Sequence, residues 1–122
     1  MNLSQYKTTV LETIIEPMIS FMNDCNEDED GCDYRAEDVE QCKHLLYTYL
    51  EALASMTDPS DDTIMEHVKI LVLALNDLNE QTDYSMIETG EREAICEIIQ
   101  TSAIECGLKE YSDDITEEWR EW

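Results

Sequence analysis

Residues 59–80 read Pro-Ser-Asp-Asp-Thr-Ile-Met-Glu-His-Val-Lys-Ile-Leu-Val-Leu-Ala-Leu-Asn-Asp-Leu-Asn-Glu, and this stretch decides the fold class. Pro59 biases Asp58 away from helix, so the chain stops before it and restarts after it. Ser60 is placed to cap a helix whose first turn holds Asp61 and Asp62, two charges that the positive end of the helix dipole favours. The helix then runs to about Glu80. Its segment 70–75 is apolar on every side, which nominates this helix as the centre of a bundle.

Working outward, the same periodicity recurs on both sides. Leu3, Tyr6, Val10, Ile14, Met18 and Met22 follow each other at three or four positions, with Leu11, Ile15 and Ile19 widening the stripe and Ser4 as the expected cap. Pro17 lacks a donor and crowds the Thr13 carbonyl, so a kink or break is expected near Glu16. A second helix is expected from Tyr34 to Met56, capped by Asp33, on the stripe Val39, Cys42, Leu46, Tyr49, Leu50, Leu53 and Met56. Beyond residue 80, Ser85 and Glu88 have capping-box spacing and open a helix with a core face of Ala94, Ile95, Ile98, Ile99 and Ala103. Gly107 then closes it. A short last helix is expected from Ser112, with Ile115, Trp119 and Trp122 on one face. No strand-like alternation and no repeat occurs. The expectation is all-α: a single-domain bundle of four to five helices over residues 1–122.

Charge is the second dominant feature. Thirty Asp and Glu against seven Lys and Arg give a formal charge of −23 on 122 residues, while the apolar share of 43% is that of a globular chain. Such self-repulsion weakens the compact state and exceeds what solubility requires. A basic protein would relieve it, and opposite fields speed association. Nucleic acid and anionic membrane would be repelled. No apolar run approaches the roughly 20 residues that span a bilayer, and no basic region precedes an apolar one at the start, so a cytoplasmic protein is expected. Five cysteines, odd in number and without a Cys-x-x-Cys pair, fit reduced thiols.

The densest charge is residues 23–33, Asn-Asp-Cys-Asn-Glu-Asp-Glu-Asp-Gly-Cys-Asp, where six of eleven residues are acidic. With Gly31 at the sixth position of a calcium loop, Asn26, Asp28 and Asp30 take positions one, three and five, and Glu37 takes twelve. Against calcium stand Asn26 in place of Asp, Asp33 where an aliphatic residue is usual, and no second loop to pair with. No metal and no cofactor is expected. His44 and His67 read as helix-surface or core-flank residues rather than a catalytic pair, glycine loops for phosphate and zinc spacing are absent, and no enzyme is expected.

Ser85-x-Ile87-Glu88-Thr89-x-x-Arg92-Glu93, Gly107, the final Arg120-Glu121-Trp122 and Asp77-Leu78-Asn79-Glu80 resemble an uncharacterised family of small acidic bacterial proteins. Met86 and Gly90 depart from its pattern, and the first helix and acidic loop are not shared. The resemblance implies a helical bacterial domain and no catalytic residue. In size, helicity and charge the chain also resembles the immunity proteins of bacterial toxin systems, contact-dependent growth inhibition among them. That resemblance implies a basic protein partner, a nuclease toxin domain and specifically a ribonuclease, whose cleft the inhibitor occludes. Partner contacts are expected at Glu27, Asp28, Glu29, Asp30 and Asp33, at Asp58, Asp61 and Asp62, and at Asp113, Asp114, Glu117, Glu118, Trp119 and Trp122. The alternatives are a DNA mimic that inhibits a DNA-binding protein, and a calcium-binding EF-hand-like protein.

Overall fold

Helix periodicity without strand alternation produces an all-α bundle in a computed structural model that describes residues 1–26 and 34–122, the side chains of Cys25 and Asn26 excepted. The helical elements in order are α1 (Leu3–Val10), a π-helical turn (Leu11–Ile15), α2 (Glu16–Asn26), α3 (Ala36–Ala54), α4 (Asp61–Gln81) and α5 (Thr89–Cys106). The first three run on as one rod, making four rods among the described residues. No strand occurs among the described residues. The fold class is as expected from the periodicity.

Pro17 does not break the first rod. Its ring would crowd the Thr13 carbonyl in a regular α turn, and the turn before it widens instead, with the Glu16 N–H reaching the Leu11 carbonyl five residues back. Val10, Ile14, Ile15 and Met18 are buried there, and the rod reaches Asn26, beyond the expected end at Met22. Asn2 caps it in place of Ser4, its side-chain oxygen accepting the Gln5 N–H at 3.1 Å.

α3 starts two residues later than expected. Tyr34 lies outside it, buried, stacked on Phe21 at 6.1 Å and donating its hydroxyl to the Met18 carbonyl at 3.2 Å. Arg35 occupies the cap position expected for Asp33, and its N–H is taken by the Asp38 carboxylate at 2.9 Å. The centre of the bundle is α3 and not α4: it packs against α1, the π turn, α2, α4 and α5. On α4 the residues Val68, Leu71, Val72, Leu75 and Leu78 turn inward, while Ile70 is 56% and Leu73 42% exposed. An all-round apolar segment therefore does not mark the middle helix here. Ser60 caps α4 as expected, accepting the Thr63 N–H at 3.2 Å.

The Ser85–Glu88 capping box does not form. Asp83 and Tyr84 take left-handed φ values of 57° and 59°, and the Ser85 hydroxyl donates back to Thr82. The buried Asn79 side chain accepts the Ile87 N–H at 3.0 Å and seats Met86 and Ile87 in the core. Helix α5 then begins at Thr89. It ends as expected at Gly107, where φ is 123° and the Leu108 N–H reaches the Ala103 carbonyl at 3.1 Å. Facing the centre of the bundle, the buried Tyr49 hydroxyl meets the Ile99 carbonyl at 3.2 Å and Ser102 Oγ at 3.1 Å. Residues 112–122 make turns in place of the expected last helix.

Candidate partner-binding surface

The C-terminal segment explains how the acidic regions are arranged. It runs alongside α4 and α5 without regular backbone bonding of its own, so side chains from those helices hold it. Asp61, in the first turn of α4, accepts the N–H groups of Lys109 and Glu110, both at 3.0 Å. From α5, Gln100 donates to the Ser112 carbonyl at 2.9 Å and accepts the Ile115 N–H at 3.1 Å. Further along α4, Asn76 donates to the Trp119 carbonyl at 2.7 Å and accepts the Glu121 N–H at 3.0 Å. Each clamp satisfies backbone groups of a stretch that has no helical ladder there to pair them.

Within the segment, Asp114 accepts the Thr116 N–H at 2.9 Å and the Arg120 guanidinium at 2.7 Å. Burial pushes the Asp114 carboxyl up, but the Thr116 hydroxyl and N–H and the Arg120 charge outweigh it and hold the carboxyl below its ordinary value. Arg120 also lies 5.5 Å over the Trp122 ring. Trp119 and Trp122 are partly buried against the core.

The expected acidic site residues therefore divide into three groups. Glu27, Asp28, Glu29, Asp30 and Asp33 lie outside the described residues, as do the first ligand side chains of the calcium template; its last member, Glu37, is exposed in the first turn of α3. Asp61 and Asp114 are engaged inside the molecule. Asp58, Asp62, Asp113, Glu117 and Glu118 are exposed, and the Asp61 clamp ties the Asp58–Asp62 turn to the start of the C-terminal segment. Two of the three acidic regions thus adjoin.

Three hollows continue this surface. One of about 370 Å³ lies between Met65 and the C-terminal segment, with Glu110, Asp114, Glu117 and Glu118 in its wall. A second, about 350 Å³, lies between that segment and α5, with Glu93, Glu97, Asp113 and Asp114. A third of about 340 Å³ separates α5 from α1 and holds Glu97 and Glu105. Asp114 is shared by the first two, and Glu97 and Thr101 by the last two. No Lys or Arg lines any of them. Arg120 reaches this surface by its pair with Asp114, whereas Lys7 pairs with Glu51 at 2.6 Å and Lys43 with Glu40 at 3.0 Å.

Apart from Glu110, the residues that sequence reading missed are Glu93, Glu97 and Glu105 on α5. Their signal was present: with Thr101 they recur every four positions along α5, which puts them in one row with steps of about 6 Å. Acidic residues are so frequent in this chain that the row does not stand out until the helix is placed.

Among the described residues no three His, Cys, Asp or Glu side chains gather as a metal would require. His44 and His67 lie on different helices, α3 and α4. No described helix is long and apolar enough to cross a membrane. Cys42, Cys96 and Cys106 are free thiols. No family model matches the chain, and no curated protein or solved structure matches it.

Proposed function

We propose that this chain is an immunity-type inhibitor that binds a basic nuclease toxin, a ribonuclease, in the cytoplasm of the producing cell and occludes its substrate cleft. One observation carries the reading: adjoining hollows along α5 and the C-terminal segment are lined by eight carboxylates and no Lys or Arg, and of the eight only Asp114 pairs with a side-chain cation among the described residues. A cleft that binds a phosphate backbone is lined with Lys and Arg, and a face of this kind complements it. Carboxylates set the rate and choice of partner, while buried anchors supply affinity. Exposed apolar side chains beside the acids, Tyr111 above all, suit that role.

The test is calorimetric titration with basic ribonuclease domains encoded beside the gene. Saturable binding that inhibits RNA cleavage and weakens with salt supports the proposal. Absence of binding to every such domain at low salt removes it.

A second reading, mimicry of DNA, draws on the row of Glu93, Glu97 and Glu105, four and then eight residues apart on α5. Carboxylates aligned along one helix face can substitute for phosphates, and competition with duplex DNA for a DNA-binding protein separates this reading from the first.

A further inference from the structure

We infer that the groove between α1 and α5 is a socket for a single arginine side chain of the basic partner, an inference that rests on the partner reading above. Its volume, about 340 Å³, is at the lower limit of ligand pockets and suits one side chain rather than a helix. The floor is apolar, made by Ala94, Ile98 and the Tyr6 ring.

The rim is rich in acceptors. Thr9 and Thr13 commit their hydroxyl hydrogens to the Gln5 and Thr9 carbonyls of their own rod, at 3.0 and 2.7 Å. The Tyr6 hydroxyl donates to Glu105, and burial together with that carboxylate pushes the phenol up, so it stays protonated. What these three hydroxyls leave available is lone pairs. Glu97 has no partner among the described residues, and Glu105, two turns further along α5, is only partly compensated by the Met1 amino group 3.7 Å away.

An apolar floor beneath an anionic rim asks for a long aliphatic stem with a charged, multiply donating head. Arginine meets this better than lysine. Its planar head forms two parallel bonds to one carboxylate and stacks on an aromatic face, here Tyr6. The stem covers Ala94 and Ile98.

The test is a ¹H–¹⁵N NMR titration with N-acetyl-arginine methylamide, with the citrulline and lysine analogues as comparisons. Saturable shifts centred on Gln5, Tyr6, Ala94 and Glu97 are expected, with little from citrulline. Glu97→Gln should weaken the arginine probe roughly fivefold through loss of a charge-assisted pair. Glu66→Gln, on α4, should leave it unchanged. Shifts scattered over all acidic faces, equal response to citrulline, or indifference to Glu97→Gln would overturn the socket. The titration needs no toxin, so the two ideas fail separately. A basic protein that binds while the probe does not removes only the socket; a socket that fills while no basic protein binds removes only the inhibitor.

Discussion

Asn76 offers the sharpest test of how the C-terminal segment is held. Its side chain is nearly buried and makes two bonds to backbone, to Trp119 at 2.7 Å and from Glu121 at 3.0 Å. Each such bond is worth about 1 kcal/mol net, so Asn76→Ala should cost about 2 kcal/mol directly. Trp119 and Trp122 pack where these bonds hold them, and partial release of their apolar surface brings the cost to about 3 kcal/mol. In a chain of 122 residues each kcal/mol moves the midpoint by about 4 °C, so a fall of roughly 8–12 °C is expected. The assay has an internal reporter. The chain's two tryptophans both lie in this segment, so their emission reads its docking alone while circular dichroism reads the helices. A red-shifted, more quenchable emission before the main transition is expected. A variant that melts within about 2 °C of the parent with unchanged emission would refute the clamp.

Other outcomes follow from the same geometry. Because Asp114 is held below its ordinary value, its contribution is present above the unfolded carboxyl pKa of about 3.9 and disappears as pH falls through the folded value. Asp114→Asn should therefore melt lower than the parent at pH 7, with the gap closing below about pH 4. Comparing the two proteins cancels the repulsion among surplus carboxylates that relaxes over the same range. Burial pushes the Cys42 thiol up to about 12, so peptide mass spectrometry should find Cys42 unlabelled by a thiol reagent in the folded protein and labelled in denaturant. Ser60→Ala removes the α4 cap and should cost about 1 kcal/mol in denaturant unfolding, with Ser60→Gly costing less.

Much of the fold could be read from local signals, since helices announce themselves by apolar period and by caps that act within four residues. Ser60 and Gly107 both perform as their chemistry dictates. Errors arose where a local pattern had a non-local competitor. The spacing of Ser85 and Glu88 suits a cap, but Asn79 takes the Ile87 N–H and the chain turns through two left-handed residues first. The segment 70–75 is apolar all round, yet hydropathy does not reveal which neighbour a face will meet, and Ile70 and Leu73 meet none. Residues 112–122 carry a helical pattern, but Asn76 and Gln100 satisfy part of their backbone from α4 and α5. For the candidate surface, the Asp58–Asp62 turn and the Asp113–Glu118 acids were legible as charge, and their adjacency was not. That adjacency depends on one carboxylate, Asp61, reaching across to residues 109 and 110.

The central claim is that the acidic face along α5 and the C-terminal segment is where a basic partner docks. The most direct measurement is calorimetric titration of a neighbouring-gene ribonuclease domain with two charge-neutralised proteins. One carries Glu93→Gln, Glu97→Gln and Glu117→Gln; the other carries Glu37→Gln, Glu40→Gln and Glu51→Gln on α3. The account predicts that the first set weakens binding by at least about tenfold at low salt, an effect that shrinks as salt screens it, while the second set changes little. Equal losses from both sets, or a loss only from the α3 set, would contradict it.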